Sequence, residues 1–364
     1  MKDGETMLVF ISAFVSPHTL PLGIELSKYY ERVIFINTMA LTQERKQMGY
    51  DVADSRVQIR ELAQDGPACR QLINEAKDVI LAGTGFDLVA QRISDGKRVF
   101  IAHERLLKKG AVKLLDPRTW RIAKFCRSVR NKPVYLLAIG DNAAKDFRLL
   151  GFNSQKIYRF GYFPQVSTYT PAQLRRKDEK CRILWVGRFV DFKRPVMALK
   201  AFKGMEADFS LTMAGSGALF AKAQAYAKKH HLPVEFLGNI ASEEVEAQML
   251  QSHILLSTSH KGEGWGAVIN EGMNRGCAVV CAKAIGCAGS LATKENAVLF
   301  RTYSIADLRR ALKEAAQNQA QLGQNGYATV TQQFNAEVAA RRFAELADSD
   351  KTQVYTEGLL SNIF

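Results

Sequence analysis

Short apolar runs alternate with amphipathic stretches along the first part of the chain. In residues 22–30, for example, Leu22, Leu26 and the tyrosines that follow share one helical stripe. Strand-sized apolar runs between helical stretches are typical of a parallel sheet that helices cover on both faces. The predicted strands are residues 7–14, 32–37, 78–82, 98–102 and 134–138.

A polar stretch interrupts this pattern after Pro164, and the six charged residues 175–180 within it indicate a linker. The alternation then restarts, with predicted strands at 181–186, 208–213, 234–237, 254–257, 278–281 and 297–300. We therefore predict an α/β protein of two doubly wound, Rossmann-like domains that face each other across a cleft. The expected domains are residues 1–165 and 166–346, with a tail at 347–364 as a candidate for crossing back to the first domain. Because ligands bind beyond the carboxyl ends of such strands, the cleft is the predicted active site.

The composition is that of a globular protein, with 47% hydrophobic and 24% charged residues in a chain of 364. No apolar run reaches the roughly 20 residues of a membrane span, and no small-residue cleavage site follows the first apolar run. The six cysteines are scattered, which favours a reduced cytoplasmic setting and gives no metal site.

The formal net charge of +14 is the unusual bulk property. Residues 92–132 carry 13 basic and 3 acidic side chains, a local density beyond what solubility requires. This excess predicts an anionic partner, such as a phosphorylated ligand or an acidic membrane surface. The alternative is a solvated basic face. No recognised nucleic-acid-binding motif occurs, so we expect no nucleic-acid partner.

The first candidate chemical element follows the predicted strand 181–186. Gly187 allows a tight turn at the strand end, and two spaced cations, Arg188 and Lys193, come next. An arginine fork with a lysine point charge suits the two adjacent anionic centres of a diphosphate. The alternative is a pair of solvated loop cations.

A second element, residues 261–273, contains the carboxylates of Glu263 and Glu271. Glycines surround Glu263, and Gly264 and Gly266 permit close approach of a ligand, while the predicted helix start supplies N–H groups for an anion. A carboxylate accepts two hydrogen bonds from the vicinal diol of a ribose or hexose. Either glutamate alone is typical of a solvated position, but the glycine-bracketed pair indicates ligand binding.

Together the two elements closely resemble the signature of glycosyltransferase family 4 (group 1), a Gly-Arg…Lys element followed by Glu-Gly-aromatic-Gly…Glu. The resemblance covers about residues 181–346. It implies the GT-B fold, a nucleotide-sugar donor, retention of the anomeric configuration, and no metal or other cofactor.

The resemblance also implies roles for single residues. Arg188 and Lys193 would bind the donor diphosphate and stabilise its charge as it leaves, and Glu263 would contact the transferred sugar. Glu271 would hold the ribose, the backbone near Asn239 would face the base, and Trp265 would pack against the donor or fill the cleft wall. The full set implied for donor binding is Gly187, Gly215, Gly217, Gly238, Asn239, Gly264, Trp265, Gly266 and Glu271.

The first domain departs from the family pattern, because residues 16–22 stand where many relatives have a glycine-rich loop. This stretch, with residues 102–110 and 140–147, resembles bacterial transferases associated with surface polysaccharide assembly. His103 follows a predicted strand and is a candidate catalytic residue that hydrogen-bonds the transferred sugar. His18 is a candidate acceptor or pocket residue. A structural role is the alternative for each histidine.

Cations alternate with apolar residues over residues 105–132, as on a surface that rests on an anionic membrane leaflet. Lys108, Lys109 and Lys113 are the candidate membrane-facing residues. The alternative is an ordinary amphipathic helix that packs on the sheet and keeps its cations in water.

The sequence thus predicts a retaining, metal-independent hexosyltransferase that uses a UDP- or GDP-sugar. Its expected acceptor is a saccharide, lipid-linked, in surface polysaccharide biosynthesis, and its expected place is the cytoplasm or the inner face of the cell membrane. The alternatives are a soluble enzyme that makes a small glycoside and a non-catalytic nucleotide-sugar-binding protein.

Overall fold

The structure, a computed structural model, describes residues 6–47, 49–83, 85–108, 110–174, 180–348 and 355–363. Lys109, one of the candidate membrane-facing residues, lies outside the described residues. The chain divides into two α/β units. The first unit comprises the residues up to Gln165 and those from Phe334 onward, and the second comprises Val166–Gln333.

Thirteen strands are present in the described residues. They are β1 (Met7–Ser12), β2 (Arg32–Asn37), β3 (Gln58–Glu61), β4 (Asp78–Ala82), β5 (Val99–Glu104), β6 (Val134–Ile139), β7 (Ile157–Phe160), β8 (Cys181–Val186), β9 (Phe209–Ala214), β10 (Val234–Gly238), β11 (Ile254–Ser257), β12 (Ala278–Ala282) and β13 (Ala297–Phe300).

Fourteen α-helices accompany these strands in the described residues, together with short 3₁₀ turns. The helices are α1 (Leu20–Leu26), α2 (Gln43–Gln47), α3 (Gly66–Glu75), α4 (Ala90–Ser94), α5 (Pro117–Ser128), α6 (Asp141–Leu149), α7 (Pro171–Leu174), α8 (Pro195–Phe202), α9 (Phe220–Lys229), α10 (Ser242–Gln251), α11 (Val268–Asn274), α12 (Ile305–Gln317), α13 (Gln319–Ala328) and α14 (Ala336–Asp348). The 3₁₀ turns that matter below are Gly110–Leu115 and Asp191–Lys193.

The first unit contains a seven-stranded sheet in the order β3-β2-β1-β4-β5-β6-β7, with every neighbouring pair parallel. All six residues of β1 are buried, as expected for a central strand that helices cover on both faces. The strand order reverses between β1 and β4, and doubly wound sheets bind ligands beyond the carboxyl ends of the strands at such a point. The parallel sheet predicted from the alternation of apolar runs is confirmed.

The pattern analysis missed two strands of this sheet, β3 and β7. Both are four-residue edge strands, and β3 alternates exposed and half-buried residues. A short edge strand lacks the continuous apolar run by which buried strands are recognised.

The end of the chain belongs to the first unit, which differs from the expected division at residue 346. Phe343 of α14 packs against Phe100 of β5 with 4.7 Å between ring centroids, and α14 also contacts α1. Residues 360–363 then hydrogen-bond to the backbone of β7, as in the 2.8 Å bond from the Leu360 amide to the Arg159 carbonyl. The apolar face of α14 is buried on this sheet, so the return begins at Phe334 rather than after residue 346.

The second unit contains a six-stranded sheet in the order β10-β9-β8-β11-β12-β13, also parallel throughout. Its strand order reverses between β8 and β11. The two elements singled out in the sequence directly follow these two strands. They therefore lie at the point where doubly wound sheets bind ligands.

Candidate active site

An ion pair joins the two sequence elements of the second unit. Lys193 Nζ lies 2.5 Å from Glu263 Oε2, and Ser259 donates a 2.9 Å hydrogen bond to the same carboxylate oxygen. The side chains are 15% and 13% exposed, so solvent screens this pair less than an exposed one. The structure thus brings together two residues that the sequence analysis assigned to the same donor sugar diphosphate.

Buried Thr258 supports the turn that carries Lys193. Its hydroxyl contacts the carbonyl oxygens of Lys193 at 2.7 Å and Arg194 at 3.1 Å, and it accepts a 3.0 Å bond from the indole of Trp185. This network ties the turn to strand β8 and to the loop after β11. The sequence analysis missed Thr258 and Ser259, because a hydroxyl residue at a strand end has no distinctive spacing.

Arg188 is exposed and remains available for a ligand. Its guanidinium lies 5.9 Å from the centroid of the Phe192 ring, and Lys193 Nζ lies 5.8 Å from the same ring. The Phe192 ring therefore lies near both cations. Aromatic rings attract both ammonium and guanidinium groups. Two adjacent cations at a sheet switch point have the charge pattern that suits the two anionic centres of a diphosphate.

Gly215 and Gly217 have a packing role that the sequence did not predict. A Cβ on Gly215 would lie 2.1 Å from the Gly187 carbonyl oxygen, and one on Gly217 would lie 2.8 Å from that of Phe189. Both residues have positive φ, +125° and +143°. These glycines let the loop after β9 pass close against the turn that begins at Gly187, and so help to shape that turn.

The structure favours one of the two roles expected of Trp265. Its side chain is 1% exposed and its indole donates a 2.8 Å hydrogen bond to Asn270, so the ring is an interior packing residue rather than a residue exposed to a donor. Gly264 and Gly266 flank it, and Glu271 lies in the first turn of α11. Gly238 ends β10 and Asn239 after it is exposed.

The first unit places a second polar cluster at the carboxyl end of β5. Glu104 forms a 2.5 Å ion pair with Lys108 and a hydrogen bond with the side chain of Tyr162, which follows β7. Burial and the Glu104 carboxylate raise the pKa of Tyr162 well above its usual value, so the phenol stays protonated. Glu104 and Tyr162 were not expected from the sequence, and the position of Glu104 at a strand end is the signal that would have found it.

His103 lies beside this pair, with its ring 5.3 Å from that of Phe147. Burial lowers the pKa of His103 below its usual value, so the imidazole is neutral at physiological pH. Nδ1 lies 2.5 Å from the Glu104 carbonyl oxygen, which can only accept a hydrogen bond. The proton therefore resides on Nδ1, and Nε2 is an acceptor.

His18 belongs to an aromatic cluster in the first unit. Its ring stacks with Tyr162 and meets Tyr50 edge-on, each at 6.0 Å, and Phe14 contacts Tyr50 at the same distance. Arg45 lies over Phe14 at 4.5 Å. Aromatic faces beside hydrogen-bonding groups suit the apolar and polar sides of a sugar ring.

The expected membrane-facing lysines are partly neutralised. Lys108 pairs with Glu104, and Lys113 forms an ion pair with Asp116. The exposed residues of this region are others: Val112, Leu115 and Trp120 are 72%, 76% and 65% exposed, and the exposed cations beside them are Arg118, Arg121 and Lys124. We call these six residues the basic apolar face.

No described helix has the length and apolar character needed to cross a bilayer. Among the described residues, no three His, Cys, Asp or Glu side chains are grouped so that they could hold a metal ion.

The sequence model of the family described as "Glycosyl transferases group 1" matches residues 167–351, just over half of the chain. The chain belongs to the group 1 glycosyltransferases. The match covers the second unit, where Arg188, Lys193 and Glu263 lie. The family resemblance inferred from these motifs is thus confirmed.

Individual relatives of this group 1 glycosyltransferase are distant. An uncharacterized glycosyltransferase of Methanocaldococcus jannaschii is 29% identical over 147 residues, which are 39% of this chain and 41% of that relative. The match therefore spans about two fifths of the relative's length.

Solved structures share the fold over nearly the whole chain. The Anabaena protein HepE, crystallised with UDP and glucose, is 14% identical, covers 93% of this chain and 98% of its own, and has a TM-score of 0.65. The lipopolysaccharide outer core galactosyltransferase WaaB, in its apo form, is 16% identical and has a TM-score of 0.68. The match covers 94% of this chain and 99% of WaaB. The fold of this group 1 glycosyltransferase is therefore GT-B, as predicted.

Proposed function

We propose that this chain transfers a hexose from a UDP-sugar to a saccharide acceptor, with retention of the anomeric configuration. The observation that carries the proposal is the meeting of Arg188, Lys193 and Glu263 at the switch point of the second sheet. Arg188 and Lys193 bind the diphosphate. The carboxylate of Glu263, which Lys193 holds in place, accepts hydrogen bonds from the sugar hydroxyls. HepE, which shares this fold, was crystallised with UDP and glucose, and this favours UDP over GDP.

In the proposed reaction, the bond between the sugar C1 and the diphosphate oxygen breaks. The acceptor oxygen bonds to C1 on the same face, and its proton passes to the leaving diphosphate. Arg188 and Lys193 stabilise the negative charge that develops on that group. Neither a metal nor another cofactor takes part in this proposal.

The first unit supplies the residues proposed for the acceptor and the transferred sugar. Neutral His103 presents an acceptor nitrogen to a sugar hydroxyl, and the Glu104–Tyr162 pair offers both a carboxylate and a phenol. The rings of His18 and Tyr50 provide apolar faces for the sugar. Replacement of His103 by asparagine should lower turnover about tenfold, because one hydrogen bond to the reacting sugar is lost.

We further propose that the acceptor is carried on a lipid at an anionic membrane surface. The basic apolar face combines three exposed apolar side chains with three exposed cations. Apolar residues that enter the headgroup region and cations that meet anionic lipids bind cooperatively at such a surface. WaaB, which shares the fold, is named as a lipopolysaccharide outer core galactosyltransferase, and this favours a lipid-linked acceptor.

The decisive assay measures UDP release and product formation with UDP-glucose, UDP-galactose, UDP-N-acetylglucosamine and GDP-mannose, with and without EDTA. We expect turnover with one UDP-sugar that EDTA leaves unchanged, and an NMR spectrum of the product with the donor's anomeric configuration. Arg188→Ala should reduce turnover at least tenfold, whereas Lys229→Ala, a matched loss of one exposed charge, should not. Tight UDP binding without turnover under any of these conditions would favour the non-catalytic binding protein.

Membrane attachment has its own test, flotation with vesicles of phosphatidylglycerol and phosphatidylcholine. Trp120→Ser with Leu115→Ser should release the protein from anionic vesicles, and added salt should weaken binding of the wild type. Equal flotation of wild type and variant would contradict attachment through this face and support the soluble enzyme.

A further inference from the structure

A cationic cavity lies in the second unit, and it is separate from the residues assigned to the donor. It has a volume of about 270 Å³. Residues from the first turns of α8 and α12 and from the start of α9 line it, namely Pro195, Ile305 and Leu219. Three helices thus begin around one cavity beyond the carboxyl ends of the strands, where their dipoles favour negative charge.

The side chains around this cavity also favour a negatively charged ligand. Arg194, Lys200 and Lys222 line it, and Asp191 is the one carboxylate among its lining residues, all of which are described. Asp191 is 98% exposed in its side chain and points to His260, 3.4 Å away. Three cations against one solvated carboxylate leave a net positive cavity.

Arg194 links this cavity to the turn that carries Lys193, because it lines the cavity and directly follows Lys193 in the chain. No described residue accepts a hydrogen bond from its Nε. Its backbone lies in the left-handed region, with φ of 54° and ψ of 52°, and its guanidinium lies 4.5 Å over the ring of Tyr303. A non-glycine residue held in this conformation beside a cavity is typical of a functional position.

We propose that this cavity binds a small phosphate-bearing anion, such as inorganic phosphate, pyrophosphate or a sugar phosphate. A volume of about 270 Å³ holds a phosphate group with a small attached moiety and is too small for a nucleotide sugar. The anion accepts hydrogen bonds from Arg194, and Lys200 and Lys222 neutralise its charge.

An anion bound in this cavity would also contact the turn that carries Lys193. Asp191 and Arg194 flank Lys193, because the 3₁₀ turn Asp191–Lys193 leads directly into α8. An anion that holds Arg194 fixes one end of this turn. The cavity is therefore a place where a phosphorylated metabolite modulates the affinity for the donor.

The test is calorimetric titration of the full chain with inorganic phosphate, pyrophosphate and glucose 6-phosphate, each in the presence of saturating UDP. We expect saturable binding of at least one anion, and the preference among the three identifies whether free phosphate or a sugar phosphate is the source. Lys222→Ala should weaken that binding about tenfold or more, since one charge-assisted contact is lost. Asp191→Asn should strengthen it, because the opposing carboxylate is removed.

Lys228→Ala is the matched control, since it removes one exposed charge from the other end of the same helix. Its affinity should equal that of the wild type, and Arg188→Ala, which alters the donor cations, should leave the anion affinity unchanged. The proposal is overturned if no anion binds saturably, if Lys228→Ala weakens binding as much as Lys222→Ala, or if Arg188→Ala abolishes it. Lys222 and Asp191 are exposed, so loss of folding does not complicate the comparison.

Discussion

The ion pair between Lys193 and Glu263 permits a quantitative prediction. At 2.5 Å and an effective dielectric of about 20, the Coulomb attraction is about 7 kcal/mol. Most of it is offset by the cost of removing both groups from water, because each side chain is less than one sixth exposed. We therefore expect a net coupling free energy of about 2 kcal/mol between the two residues.

A double-mutant cycle measures this coupling. Lys193→Met keeps most of the side-chain volume without the charge, and Glu263→Gln keeps the shape without the charge. Each single variant leaves the partner charge largely buried and unpaired, and should lower the thermal midpoint by several degrees. The double variant should be more stable than the sum of the two single effects predicts.

An exposed pair in the same unit is the control. Arg310 and Glu314 of α12 form an ion pair with side chains 51% and 48% exposed, which solvent screens strongly. Their cycle should give a coupling of about 0.5 kcal/mol or less. A coupling between Lys193 and Glu263 that is no larger than this control would refute the role of burial in strengthening the pair.

Turnover gives a second outcome of the same cycle. Lys193→Met should lower kcat at least tenfold, through loss of charge stabilisation on the leaving diphosphate. Glu263→Gln should also lower kcat, and the double variant should lose less than the product of the two losses, since the residues act as one unit. Wild-type turnover of Lys193→Met would refute its assignment to the diphosphate.

Three further variants test single features of the site. Glu271→Ala should weaken UDP binding about tenfold in a calorimetric titration, and an unchanged affinity would reject its assignment to the ribose. Gly215→Ala places a Cβ 2.1 Å from the Gly187 carbonyl oxygen and should destabilise the second unit by several kcal/mol in thermal unfolding, whereas Gly204→Ala, whose Cβ meets no atom within 4 Å, should cost less. The pKa of His103 is lower in the folded state than the usual value near 6.5, so folding loses stability as the pH falls through that value. His103→Asn should flatten the dependence of the unfolding free energy on pH between about 7 and 5, and an unaltered slope would contradict the burial of a neutral imidazole.

Much of the fold follows from local patterns. Buried parallel strands such as β2, β8 and β11 have continuous apolar sequences, and their predicted bounds match the structure. The two elements that we assign to the donor were recognised because glycines and charged residues follow β8 and β11. The edge strands β3 and β7 were missed, since each is only four residues long and a charged residue interrupts its apolar positions.

The sequence by itself determined the α/β class, the family and the charged residues that we assign to the donor, because period, spacing and residue type are local properties of the chain. The tertiary structure alone decided that Lys193 pairs with Glu263, that the ring of Trp265 turns into the interior, and that α14 packs on the first unit. It also decided that three helix starts and three cations surround one cavity. These features depend on contacts between segments that are far apart in sequence. Local patterns are compatible with many such contacts, and tertiary packing determines which of them form.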